Sequence, residues 1–415
     1  MGRLLNGAAL PLALGLGLLA LVPALTRAGE LDLSVDLRAV SSNATDTRLA
    51  GALGKPRYDS GQDGLRLGYL RLGYRGDLSP TLHFTLEAVG YGDHDVNPID
   101  LTELYLEWRP IPSSAWRSRL KLGAFYPEIS LENRMRGWRS PYTLSYSAIN
   151  TWVGEELRTI GAEYSLDWLG LAHGHGFEFS TSAAAFGWND TAGTVIATRG
   201  WGLNDRQSTL FGRFANVGGP LGSRTLFYDD LDKRAGYTLG ASLRYRGLLE
   251  LRGLHYNNRA NLADGSDKIQ DYAWDTYFDS LGARWTPSEQ LTVIGQWLHG
   301  RTYFDTTAPT DAWSYQSRFL LASWLQQRWR YSVRVDEFDL QQTSCNFCSV
   351  ATGIGFWFGD DGHALTLAVQ RSLSEHWNLA LEGLTVTSTT PMRNFLGIDT
   401  SQRERQLQLS LRYDR

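Results

Sequence analysis

From residue 29 onward the chain alternates apolar and polar side chains with a period of two. Successive side chains of a strand point to opposite faces, so such a stretch is apolar on one face and polar on the other. The first run sets Leu31, Leu33, Val35, Leu37 and Ala39 against Asp32, Ser34, Asp36 and Arg38. The second begins on Leu65, Leu67 and Tyr69, then switches parity to Leu70, Leu72 and Tyr74, which predicts a bulge beside Gly68. Leu82, Phe84, Leu86 and Ala88 mark a third strand. The fourth sets Leu104, Leu106 and Trp108 against Glu103, Tyr105, Glu107 and Arg109. The fifth sets Leu120, Leu122, Ala124 and Tyr126 against Arg117, Arg119 and Lys121. With Trp108 opposite Trp116, Glu107 faces Arg117 and Glu103 faces Lys121, and these opposite charges help set the register.

The same alternation continues through Ile160–Trp168, Phe177–Trp188, Tyr237–Tyr245, Leu249–Asn257 and a series of hairpins that ends on Leu407, Leu409, Leu411 and Tyr413. The reading is sixteen strands, with short and long connections alternating. A strand about 9–11 residues long, apolar on alternate positions, suits a membrane crossing. Aromatics gather at both strand ends. Tyr74, Trp108, Trp116, Trp168, Tyr245, Trp285, Trp329, Trp377 and Tyr413 lie at the short turns, and Tyr91, Tyr126, Trp188, Tyr237, Tyr256 and Trp313 at the long loops. Two aromatic girdles suit two lipid–water interfaces. The fold class expected is all-β, a transmembrane antiparallel β-barrel of about 16 strands with short periplasmic turns and long extracellular loops. The expected partner of its outer face is outer-membrane lipid.

Residues 1–28 read differently. Arg3 is followed by a Leu- and Ala-rich run with Pro11 and Pro23 and then Thr26-Arg27-Ala28, the pattern of a secretory signal cleaved after Ala28. The domains expected are therefore 1–28 as signal peptide and 29–415 as barrel. After residue 28 no apolar run is long enough for a spanning helix. A net charge of -4 without a basic stripe argues against nucleic acid as partner. Cys345 and Cys348, in an exported chain, are expected to form a small loop disulfide. No cofactor or metal is expected: His173-Gly174-His175 and the acidic runs Asp229-Asp230-Leu231-Asp232 and Asp360-Asp361 read as solvated turns.

One stretch breaks the strand pattern. Residues 127–158 combine apolar anchors such as Ile129, Leu131, Trp138 and Trp152 with Glu128, Glu132, Arg134, Arg136, Arg139, Glu155, Glu156 and Arg158. A barrel of this size leaves an aqueous channel unless something fills it. The loop is expected to fold inward and narrow the pore, with charges facing the opening, since charged rings set ion preference. Glu103, Glu107, Arg117, Arg119 and Lys121 would line the lumen wall. The competing constriction is the long excursion 189–235, whose part 208–214 has room for a strand or helix. The function expected is a water-filled channel for passive diffusion of small polar or anionic solutes.

Gly123, Phe125, Pro127, Ser130, Leu131 and Glu132 match a G-x-F-x-P-x-x-S-L-E pattern. This resembles the segment before the constriction loop of Gram-negative phosphate-selective porins. The resemblance implies a homotrimer of 16-stranded porins, located in the outer membrane, with the loop inside each pore. Such barrels are delivered through the barrel-assembly machinery. Two departures stand out: the chain has four lysines, and Asp414 and Arg415 follow the last aromatic, Tyr413. Two other readings are a closed-lumen receptor or adhesin and, further off, a lipid-hydrolysing barrel. The second needs a Ser–His pair near the rim, and no spacing on one strand face suggests it. The chain is therefore not expected to be an enzyme.

Overall fold

The computed structural model describes residues 29–47, 51–93, 99–215, 224–262, 273–304, 311–345 and 359–415. The signal segment 1–28 and Cys348 lie outside the described residues; Cys345 sits just beyond the strand that ends at Ser344. The strands are β1 (Gly29–Ser42), β2 (Gly64–Ser79), β3 (Leu82–Gly90), β4 (Ile99–Trp108), β5 (Trp116–Phe125), β6 (Thr159–Trp168), β7 (Phe177–Gly187), β8 (Arg213–Ala215) and β9 (Arg224–Leu226). They continue with β10 (Gly236–Tyr245), β11 (Leu249–Asn257), β12 (Asp275–Trp285), β13 (Leu291–Phe304), β14 (Asp311–Gln326), β15 (Trp329–Ser344), β16 (Gly359–Ser372), β17 (Trp377–Thr389) and β18 (Ser401–Asp414).

Sixteen of these close into one antiparallel barrel, and β8 and β9 pair with each other inside a loop. Closure is made by β1 and β18, with Asp36 opposite Arg412 and Leu37 opposite Leu411. A closed sheet leaves no unpaired edge, which is what a lipid environment requires. Among the described residues no helix is long and apolar enough to cross a membrane.

The period-two pattern sorts the faces as expected. On β1, Leu31 and Leu37 are exposed on the outer face, while Asp32, Ser34, Asp36 and Arg38 are buried on the inner one. The bulge on β2 falls where the parity changes: Tyr69 pairs with Asp36 and Leu67 with Leu37, so Gly68 has no partner. A Cβ at Gly68 would lie 2.7 Å from Arg38 Nε and 2.8 Å from Asp36 Oδ2, which leaves glycine as the residue that fits.

Two expectations are corrected. The β4–β5 register is shifted: Trp108 lies opposite Leu120, so Glu107 faces Lys121, and Trp116 pairs across the other side with Trp168. Two tryptophans on neighbouring strands do not fix register when each can sit at the interface beside a different neighbour. At the long-loop ends, Tyr91, Tyr126, Tyr256 and Trp313 are buried inside the barrel rather than outside it, because loops that fold inward offer them an apolar surface. The short-turn girdle is outward, with Trp108, Trp116, Trp285, Trp329 and Trp377 between 37% and 50% exposed.

Candidate functional site: the lumen and its inward loops

The lumen is where this barrel differs from an empty cylinder. Inward-facing aromatic and aliphatic residues of β11–β17, such as Tyr256, Phe278, Tyr315 and Leu340, form one buried cluster with loop residues. The loops that cover them enter from the long-loop end.

The principal one runs from 126 to 158. Tyr126 stacks on Trp138, with ring centroids 4.3 Å apart. Gly137 and Trp138 turn the chain back through positive φ, 63° and 53°. The tip of the loop crosses the lumen. At one end Arg134 meets Glu250 of β11 at 2.6 Å. At the other, Arg136 meets Glu30 of β1 at 2.6 Å, and Arg139 meets Asp414 of β18 at 3.0 Å and Tyr69 Oη at 2.8 Å. β1 and β11 are eight positions apart in the ring of sixteen, so the tip is a strut between opposite walls.

The return arm is pinned to the wall. Arg334 of β15, wholly buried, donates to Glu132 at 2.8 Å, to Asp336 at 2.8 Å, and to the carbonyls of Ser145 and Tyr146. Glu382 of β17 accepts the Leu144 and Ser145 backbone N–H groups. A helix, Ala148–Glu156, follows, with Ser147 Oγ accepting from Asn150 N at its start. Its Trp152 meets Phe278 and Tyr315 at 5.3 and 5.1 Å between ring centroids.

Two more loops enter the lumen, and the first locks onto this one. Glu156 caps the short helix Thr194–Arg199 by accepting N–H groups from Val195 at 2.7 Å and Gly193 at 3.0 Å, and Trp152 Nε1 also donates to it. Burial pushes the Glu156 carboxyl up to about 7, and those donors pull it back only in part. The loop between β1 and β2 also enters. Its Arg57 pairs with Asp93 at 3.0 Å and Asp205 at 2.9 Å, Arg38 joins Asp205 at 2.5 Å, and Lys55 meets Asp360 at 2.7 Å. Burial by itself would raise the Asp205 carboxyl; Arg38 and Arg57 overturn this and hold it well below the usual carboxylate range.

The sequence-derived site residues therefore divide. Glu132, Arg139, Glu155, Glu156 and Arg158 are buried in contacts among loops and wall. Arg158 lies over the Tyr126 ring at 3.5 Å, and Glu155 accepts from Asn204 at 2.9 Å. Glu128, Arg134 and Arg136 stay about a third exposed, with side-chain values of 33%, 33% and 37%. On the wall, Arg117 and Arg119 share Asp167 at 2.9 and 3.1 Å, and Lys121 bridges Glu128 and Glu163 at 3.2 and 3.3 Å. Lys121 above all, with Arg119 and Arg252, holds the Glu128 carboxyl down at about 2 against its burial. Glu107 lies 3.7 Å from Arg109, and Glu103 accepts the Tyr126 backbone N–H at 3.2 Å.

The sequence reading missed Arg38, Arg57, Asp93, Asp205, Arg334 and Glu382. For Arg38, Arg334 and Glu382 a signal existed, since their strand parity points inward. For the loop residues none did.

Carboxylate oxygens of Asp190, Asp230 and Asp232 lie within 4.8 Å of one another, a possible cation cradle, yet Asp190 already accepts N–H groups of Leu231 and Asp232. A Ser–His contact does exist, against expectation, because it joins two strands: Ser314 of β14 lies 3.5 Å from Nε2 of His299 on β13. Asp279, beside His299 in the register, is hydrogen-bonded to His255 at 2.8 Å instead.

A closed sixteen-strand barrel, apolar outside and charged within, with a loop folded across its lumen, defines a transmembrane barrel of the outer-membrane porin architecture. No protein-family model matches the sequence, and no curated protein sequence matches it. Solved structures do. The fold is similar to that of the outer membrane channel DcaP of Acinetobacter baumannii, with 11% identity, 93% of this chain and 97% of that one covered, and a TM-score of 0.54. It is also similar to OmpF of Salmonella typhi (10%, 93% and 97%, 0.51) and to a loop-deleted OmpT, an outer membrane protein of Vibrio cholerae (9%, 94% and 100%, 0.52). At such identities the likeness shows the fold. The protein is an outer-membrane barrel of a Gram-negative bacterium.

Proposed function

We propose that the chain is a porin-type channel for passive diffusion of small polar or anionic solutes. The carrying observation is the strut: the Arg134–Arg139 tip spans a lumen whose wall carries paired charges of both signs, Arg117, Arg119 and Lys121 against Asp167 and Glu163 and the loop's Glu128. Such a crossing narrows the path without closing a barrel wall. Opposed charges beside it give a transverse field that orients dipolar solutes. Glu128, Arg134 and Arg136 are the constriction residues that remain in reach of water. Phosphate preference, suggested by the Gly123–Glu132 resemblance, is the finer form of this proposal. So is a trimer, for which the small exposed residues Ala183 and Ala185 of β7 offer a contact face, with delivery by the barrel-assembly machinery. A non-enzymatic role fits the engagement of Asp279 with His255 instead of His299.

Single-channel recording of the refolded protein in a planar bilayer, under a salt gradient, tests the reading. Stable steps are expected, and the reversal potential gives the favoured sign of ion. A second reading, a closed-lumen receptor, is favoured by the packed core that the loops build inside the barrel. A folded barrel that never conducts would replace the channel by this receptor.

A further inference from the structure

The lumen does not neutralise its charge evenly. Arg71, Arg117, Arg119, Lys121, Arg244 and Arg252, on β2 to β11, each have a carboxylate within 4.0 Å. Among the described residues Arg284 of β12 and Arg330 of β15 have none. Both alternate inward, and each stands one residue from the short-turn end of its strand, Arg284 before Trp285 on β12 and Arg330 after Trp329 on β15. They therefore share the periplasmic tier.

Arg330 is set among hydroxyls. Arg330 Nη1 donates to Ser323 Oγ at 3.0 Å, and Ser332 Oγ donates to the same oxygen at 3.0 Å. The Arg330 guanidinium lies 5.3 Å from the centroid of the Tyr142 ring, so the inward loop covers one side. Arg284 Nε is shielded from solvent and has no acceptor among the described residues. Its cross-strand neighbour Glu250 is occupied by Arg134 and Arg252, at 2.6 and 2.8 Å. A guanidinium cannot shed its proton, and a buried N–H without an acceptor is costly. The group that would relieve both is an anion.

We propose that Arg284 and Arg330 form a binding station for a small oxyanion, a phosphate or a carboxylate, at the periplasmic end of the lumen. β13 and β14 separate the two strands, and Arg284 lies level with Ile294, Leu321 and Arg334 in turn, four residues from Arg330, so the two backbones are roughly 19 Å apart along the sheet. Extended side chains close that gap enough to hold a small ion between two forks. Planar guanidinium forks match the oxygens of phosphate and carboxylate, and a compact spherical halide uses them poorly. The Ser323 hydroxyl, which accepts from Arg330 and Ser332, keeps its own proton to donate. A role in transport rests on the channel reading above; binding itself does not.

The test is isothermal titration of the refolded, detergent-solubilised full barrel with inorganic phosphate, acetate and chloride at constant ionic strength. Phosphate or acetate is expected to bind more tightly than chloride, and whichever oxyanion binds better identifies the class of ligand. R284Q/R330Q is expected to weaken that binding about tenfold or more, each single variant severalfold, and R318Q, on the outer face, not at all. The single variants carry the test if the double variant does not fold. Absent binding of both oxyanions, equal binding of chloride, or unchanged binding in the folded lumen variants overturns the site. A barrel that binds phosphate but conducts nothing in the bilayer would sink the channel reading and leave the site standing.

Discussion

Arg334 on β15 lies 2.8 Å from Glu132 of the inward loop, and neither side chain has any exposed surface. Removing one member of a buried pair strands the other, at about 3–5 kcal/mol. Arg334→Leu would leave both Glu132 and Asp336 without their cation. The expected result is a lower urea midpoint for the folded barrel, partly restored by adding Glu132→Gln. An unchanged midpoint would show that the loop is held elsewhere.

The strut predicts a conductance change with little loss of stability. Arg134 and Arg136 are both partly exposed, so each of their ion pairs contributes about 0.2–1 kcal/mol. The double variant Arg134→Ala/Arg136→Ala should still fold and should conduct more, and deletion of 133–147 should conduct more again. Wild-type conductance in a folded deletion variant would remove the strut from the path.

Docking of the loop 188–212 onto the inward loop should depend on pH through Glu156. With its carboxyl at about 7 when docked and near the ordinary ~4.3 when released, the docked state holds the proton more tightly. Docking is then strongest below the released value, weakens as pH rises through about 7, and stays weakest above it. Asp205 acts in the opposite sense: its contribution is present above the ordinary carboxylate range and is lost as pH falls below it. Protease protection of 188–212 should fall between about pH 5 and 8 in the wild type, a window that opens above the ordinary carboxylate range, where the Asp205 contribution is constant, and closes about one unit above 7. In Glu156→Gln it should be flat across that window; a wild-type slope retained there would refute the assignment.

The Ser314–His299 contact should not produce a reactive serine. At 3.5 Å, with Asp279 turned to His255, His299 has no orienting acid among the described residues. A fluorophosphonate probe should leave the folded barrel unlabelled. Labelling abolished by Ser314→Ala would instead establish a lipid-facing hydrolase.

Much of this was readable from one chain. Leu31 to Ala39 against Asp32 to Arg38 already states which face of β1 meets lipid, and the parity change beside Gly68 already locates the bulge. The inward parity of Arg284 and Arg330 was legible too, but their lack of acidic partners among the described residues was not, because that depends on what the neighbouring strands and the loop bring near. The β4–β5 register escaped for a related reason. Alternation settles which residues share a face, and it leaves open a slip by an even number of residues, which keeps every side chain on its face.

The sequence by itself determined the barrel: the period of two, the turns and the short-turn girdle are local properties, carried by residues a few positions apart. Only the tertiary structure decided what fills it. Arg334 is 202 residues from Glu132, and Lys55 is 305 from Asp360 along the chain (360 minus 55). Nothing local in either segment names its partner. The packing of three loops against one wall selects those pairs, since a buried charge is tolerated only where an opposite one waits.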